Sequence, residues 1–253
     1  MKKNFSIRQH VLAVISALSL IIFVVACNKD NNDNPDVPVS GLMAFNVSPD
    51  IAANIALSGN YLTPGPIVFS NYTGGYYAVY SGARSVQTYN AATGISVASS
   101  TYDFQPDQYY SLFVAGANDN YRNIIVHDNI DSLPSMAGEA YVRYINAIPD
   151  SSASTVTVTT NGSDVVNMSA GYGTVSDFTA VDAGDVAVKI SNGTTIDAMR
   201  TINLEERKVY TVLLIGMPGA TTGADSVQVR YVLNGTLDAD AGMDSAVNSV
   251  NSN

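Results

Sequence analysis

Residues 140–150 read AYVRYINAIPD, and a paler copy, LMAFNVSPD at 42–50, stands one hundred residues earlier. Asn46 and Asn146, Pro49 and Pro149, Asp50 and Asp150, Tyr72 and Tyr172, Tyr110 and Tyr210, and Gly116 and Gly216 keep the same offset. A repeat that holds register over so many positions implies two tandem copies of one domain.

Working outward from this stretch, the second copy is strand after strand. Residues 141–147, 155–160, 186–191, 196–204, 208–215 and 226–233 are short runs rich in Val, Ile, Thr and Tyr, which suit a pleated surface. Val156 and Val158 fall on one face with Thr155, Thr157 and Thr159 on the other, and Val186, Val188 and Ile190 repeat the alternation, so these strands have one wet face. Residues 209–215, VYTVLLI, are apolar on both parities and read as a central strand. Asn161-Gly162, Asn192-Gly193 and Asn234-Gly235 suit tight turns between strands. No segment of either copy sustains a 3.6-residue apolar period.

The expectation is therefore an all-β fold of two tandem antiparallel β-sandwich domains, immunoglobulin-like in kind, at 41–136 and 137–237. In the first copy Phe45, Ile55, Leu57, residues 67–69, Val86 and residues 109–114 and 124–126 lie on the same strands, and 63–66 and 73–75 mark longer turns. Residues 128–136 form the junction, short enough to set the sandwiches end to end with limited freedom. The polar tail at 238–253 reads as a flexible end.

Residues 1–26 read as an export signal, with Lys2, Lys3 and Arg8 ahead of an uncharged apolar run from 11 to 26. The run ends in Val24-Val25-Ala26-Cys27, which resembles a bacterial lipobox, making Cys27 the lipid attachment site. A plain membrane anchor would need roughly 20 apolar residues. Cys27 is the single cysteine, so the mature chain has neither disulfide nor thiol nucleophile. Residues 27–40 are polar and proline-containing, a flexible tether. Its start, Cys27-Asn28-Lys29-Asp30 followed by Asp33, resembles the acidic surface-export signals of some outer-membrane lipoproteins; the alternative is a solvated linker. Asp30, Asn32 and Asn34 alternate like oxygen ligands but lack the glycine and distal glutamate of a calcium loop, so no metal is expected.

With the leader removed, 22 acidic residues face nine basic ones, a net charge of −13. That balance argues against nucleic acid, whose phosphates call for clustered Lys and Arg. It argues equally against electrostatic docking on anionic lipid, and leaves the membrane link to acyl chains on Cys27.

The second copy also carries a signature. Ala140-Tyr141-Val142-Arg143 leading to Ile148-Pro149-Asp150, the segment Gly173-Thr174-Val175-Ser176-Asp177-Phe178 running into Asp182-Ala183-Gly184, and Lys208-Val209-Tyr210-Thr211-Val212 resemble the domain-of-unknown-function 4397 family. The resemblance implies tandem β domains of lipoproteins and cell-surface proteins, and brings no catalytic residues with it. The first copy departs from the pattern: Met43-Ala44 stands where Val-Arg belongs, and Tyr72-Thr73-Gly74-Gly75-Tyr76 replaces the GTVS block. The shared Pro-Asp reads as a strand end followed by an Asx-turn at Asp150.

Catalytic constellations are scarce. His10 leaves with the signal and His127 stands alone on an alternating strand, facing outward, too little for a triad or a zinc site. There is no HExxH motif, phosphate-cradling glycine loop or nucleophile elbow. Glu205, Glu206 and Glu139 read as solvated turn and junction residues rather than a glycosidase pair. Neither an enzyme nor a cofactor is expected.

The best functional case rests on Tyr72, Tyr76, Tyr77 and Tyr80 around Gly74-Gly75, where tyrosine rings stack on sugars or anchor a protein at low entropic cost. The alternative is that Tyr77 and Tyr80 alternate into the core and only Tyr72 and Tyr76 show, so Tyr72 and Tyr76 are the expected ligand contacts. The expectation is a non-catalytic outer-membrane lipoprotein, surface-exposed, that binds a glycan or an envelope protein. The alternative is an accessory component that presents a ligand to a nutrient-uptake system.

Overall fold

Eight strands arise from each copy in the same order. In the computed structural model, which describes residues 37–150, 152–220, 223 and 225–237, the first copy contributes β1 (Val39–Asn46), β2 (Ala53–Leu57), β3 (Asn60–Tyr61), β4 (Tyr77–Tyr80), β5 (Gly82–Asn90), β6 (Ser96–Phe104), β7 (Tyr109–Ala117) and β8 (Asn120–His127). The second contributes β9 (Glu139–Asn146), β10 (Ser154–Thr160), β11 (Ser163–Ala170), β12 (Thr179–Asp182), β13 (Gly184–Ser191), β14 (Asp197–Leu204), β15 (Lys208–Ile215) and β16 (Gln228–Thr236). Of the tether expected at 27–40, residues 27–36 lie outside the described residues, as do the leader and the tail at 238–253, while Val39 and Ser40 already belong to β1 and pair with Tyr80 and Val79.

Each copy is a sandwich of two four-stranded sheets, with orders β4-β1-β7-β8 and β3-β2-β5-β6 in the first and β12-β9-β15-β16 and β11-β10-β13-β14 in the second. The sandwich class is as expected, but the order differs from the immunoglobulin one, where the first two strands share a sheet. Here they lie in opposite sheets. The pairing is also not wholly antiparallel: β1 runs parallel to β7 and β9 parallel to β15. The register of these pairs repeats, with Met43 opposite Ser111 and Arg143 opposite Thr211.

Alternation builds the two sandwich cores. Val156 and Val158 of β10, Val186, Val188 and Ile190 of β13 and Val212 and Leu214 of β15 close the second. Ile55, Val86, Phe104, Leu112 and Val114 close the first. The sandwiches do not lie end to end. The β4-β1-β7-β8 sheet presses face to face against the β12-β9-β15-β16 sheet, through a third core of Met43, Phe45 and Phe113 against Ile145, Leu213 and Ile215. The cause is visible in β7 and β15, which are buried on both parities and so need cover on both faces. Burying each such side chain stabilises by about 1.5–3 kcal/mol, which makes the four layers one body.

Repeated residues do matched jobs. The Tyr110 hydroxyl accepts the Gln105 N–H at 2.9 Å, and the Tyr210 hydroxyl accepts the Glu205 N–H at 3.2 Å, a tyrosine corner in each sandwich. Asn46 donates to the Ile51 and Ile67 carbonyls and accepts from the Ser48 N–H; Asn146 donates to Ala170 and accepts from the Ile148 N–H. Gly116 and Gly216 take φ of 128° and 117°, and a Cβ there would come within 2.1 Å of the Asn120 carbonyl oxygen or 2.3 Å of that of Ser226.

Two further expectations change. Asn161-Gly162 does form the β10–β11 turn, with φ of 50° and 76°. Asn234-Gly235 is no hairpin; it sits within β16 at a bulge that turns Asn234 into the interface. Residues 67–69 make only an isolated bridge through Ile67, whereas β6, β11 and β12 are strands that polar composition concealed.

Candidate functional site

The loop from β3 to β4 holds the expected ligand contacts and is pinned along β1. The Ser70 N–H donates to the Asn46 carbonyl, the Asn46 N–H to Asn71, and the Thr73 N–H to Ala44, while the Thr73 hydroxyl accepts from the Ala44 N–H. Tyr72 stacks on Phe45 with ring centroids 5.7 Å apart at 18° and stays partly exposed. Beside it an open groove of about 280 Å³ is lined by Thr63, Pro66, Val68, Asn71, Tyr72 and Tyr77.

Tyr76 is not in this groove. It is 5% exposed and turned into the interface between the sandwiches, because it immediately precedes β4 and continues that strand's parity on the side away from Val79 and the first sandwich core. Its expected role as a ligand contact is thereby corrected to a structural one. Tyr77 lines the groove instead, and Tyr80 is 60% exposed.

Tyr76 belongs to a closed polar circuit. Arg143 Nη1 donates to Asp128 Oδ1 at 2.6 Å, Nη2 to Ser111 Oγ at 2.6 Å and Nε to Thr211 Oγ1 at 2.9 Å. Thr211 donates to Asn234 Oδ1, Asn234 Nδ2 donates to the Tyr76 hydroxyl, and Tyr76 donates to Asp128 Oδ2 at 2.5 Å. Ser111 also donates to Asp128 Oδ2. The guanidinium lies 4.4 Å from the Phe178 ring centroid. Burial, then the Asp128 charge, push the Tyr76 hydroxyl well above the usual tyrosine value. With the Asp128 and Arg143 side chains at 0% and 2% exposure, this circuit is a seal rather than a reaction site.

Other candidates resolve into structure. His127 is exposed, its Nε2 2.8 Å from Gln108 Oε1. Glu206 accepts the Gly138 N–H and Glu205 pairs with Lys208. Asp150 accepts the Ser152 N–H as an Asx-turn and also holds Asn192. Asp50 takes the Asn118 N–H and the Tyr121 hydroxyl, whose pKa burial and Asp50 raise to about 12. Among the described residues, no three His, Cys, Asp or Glu side chains gather as a metal site would require. Cys27 lies outside the described residues.

No sequence pattern marks Tyr61 and Tyr89, whose rings meet edge-on, 6.2 Å apart at 74°, on the outer face of the first sandwich. Tyr61 is 64% exposed. It follows Gly59-Asn60 in a two-residue strand, which reads as loop.

The model of the family described as “Domain of unknown function (DUF4397)” matches residues 40–153 and 140–232, more than half of the chain. A comparison with curated proteins gives no match. Among solved structures, a chain from “Alpha-glucan recognition by family 41 carbohydrate-binding modules from streptococcal virulence factors” is similar at 14% identity and a TM-score of 0.23, covering 75% of this chain and 96% of that one. That likeness is too distant to carry over a ligand.

Proposed function

Because the chain belongs to the family described as a domain of unknown function (DUF4397), whose name supplies no activity, we propose from its own geometry that it is a non-catalytic, lipid-tethered module of the cell envelope that binds a glycan or an envelope protein. The observation that carries this reading is the Tyr72 and Tyr77 groove. Asn71 and Tyr72 stand at the Asn46 end of β1, seven residues from Val39 and so roughly 23 Å from where the tether joins. The groove thus lies at the end of β1 away from Val39.

The ligand-presenting alternative calls for a concave pocket or a cleft between the sandwiches. Phe45, Phe113, Ile145 and Leu213 press those faces together, which favours the binding reading.

Two experiments test it. Metabolic labelling with a radioactive fatty acid is expected to mark the wild-type chain and not Cys27→Ala; label on both, or on neither, removes the tether. Retention of the full chain on a glycan array or on immobilised envelope proteins is expected to fall in Tyr72→Ala and Tyr77→Ala while both variants remain folded by circular dichroism at the assay temperature. Retention equal to wild type in both variants removes the groove.

A further inference from the structure

The outer face of the first sandwich carries a continuous uncharged row. In register across β3, β2, β5 and β6 stand Tyr61, Ala56, Gln87 and Ser99, all on the face turned away from the Ile55 and Val86 core. At about 4.8 Å between strands the row spans roughly 14 Å. Asn54 and Tyr89 face each other one row along β2, on the same side. Ala56 points outward yet is 2% exposed, so its neighbours lie down over it. The Tyr89 hydroxyl donates to Gln87 Oε1, which orients the amide.

Asp103, four residues along β6 from Ser99, stands on this face but outside the row, and the matching face of the second sandwich carries more charge. It bears Asp185, Lys189 and Asp197, with Lys189 and Asp197 paired at 3.5 Å. A chain with a mature net charge of −13 repels anionic polymers in general and offers many acidic positions to cationic ones. A row without charge selects neither. Two tyrosine rings set edge-on at 74°, with Tyr61 exposed, form a corner for the C–H face of a sugar ring, while Gln87, Asn54 and Ser99 offer amide and hydroxyl groups to its hydroxyls.

We propose that this face binds a neutral polysaccharide laid along the row Tyr61, Gln87 and Ser99. The proposal rests on the reading of the chain as a binding module and names the ligand class and a second surface for it.

The test is affinity electrophoresis of the full chain through gels holding dextran, amylose or mannan, with polygalacturonate as the anionic control. The wild type is retarded by at least one neutral polymer and not by polygalacturonate. Tyr61→Ala weakens the retardation about tenfold or more, the loss of one stacking anchor, and Tyr61→Phe keeps most of it. Tyr61 is exposed, so melting stays at the wild-type value. No retardation by any neutral polymer, or equal retardation of Tyr61→Ala and wild type, overturns the proposal. Loss in Tyr72→Ala with none in Tyr61→Ala overturns it while sparing the groove, and the reverse pattern supports it while removing the groove.

Discussion

Arg143 and Met43 occupy the same register position of the two copies, opposite Thr211 and Ser111, and each reaches across the interface to the other copy: Arg143 to Asp128 at 2.6 Å, Met43 with its sulfur 4.0 Å from Asn234 Nδ2. Asp128 and Asn234 correspond in turn, each following the residue paired with a corner tyrosine, His127 with Tyr110 and Leu233 with Tyr210. The two faces are quasi-equivalent, yet only one of the two crossings is charged. A second Arg or Asp in the same dry layer would lack a partner, so the departure of the first copy at Met43 fits the interface it forms.

Arg143→Met alone strands the Asp128 carboxylate in that layer and is expected to cost about 3–5 kcal/mol. Arg143→Met with Asp128→Asn makes both crossings neutral and is expected to recover most of the loss. Urea denaturation of the two variants decides this; a double variant no more stable than the single one refutes the charge account.

Each tyrosine corner is expected to contribute about 0.5–1.5 kcal/mol, the net value of its hydrogen bond. Tyr110→Phe and Tyr210→Phe sit in separate cores, so their effects on stability should add within a few tenths of a kcal/mol. Denaturation midpoints of the two single variants and the double check both points.

Stability should fall in alkali. The folded chain keeps the Tyr76 proton above the ordinary value of 10.0, where the unfolded chain has released it, so this contribution is intact below 10.0 and is lost as pH climbs through the raised value. Tyr76→Phe is expected to be less stable near neutrality, through two lost hydrogen bonds, and to decline less steeply above 10.0. Equally steep curves for wild type and variant would locate the alkaline loss elsewhere.

Gly173→Ala places a Cβ 1.9 Å from Arg122 Nη2, which donates to the Tyr172 carbonyl while its guanidinium lies 4.1 Å from the Tyr172 ring centroid. Gly216→Ala meets the Ser226 backbone instead, which yields less readily than a side chain. The first is expected to cost about 1–2 kcal/mol and the second more, since backbone must move as well as an unfavourable φ be held. Thermal melting ranks them; the opposite order is the contrary result.

Much of the sandwich was legible because alternation is local: Val156, Val158, Val186, Val188 and Ile190 declare their core side by parity alone. Face-to-face stacking was half legible, since an apolar run such as β15 states that both faces are covered but not by what. The site was less so. Tyr76 follows Gly74-Gly75, which reads as an open loop, and only its pairing position beside Tyr77 and Leu42 fixes which way it turns. The match of Tyr72 with Tyr172 also misled: Thr73, not Tyr72, has the counterpart in the loop, because its hydroxyl takes the Ala44 N–H as that of Ser176 takes the Tyr144 N–H. The offset there is 103, and no residue announces the three added positions.

The placement of β1 has a mechanical side. It is an interior strand, bonded to β4 along one edge and to β7 along the other, and its first residue receives the amino-terminal segment. A pull from that end runs along the strand axis and loads both ladders in shear, so the bonds must give way together rather than open one by one. The strand that leads the first sandwich is thus also the one best seated to resist being drawn out.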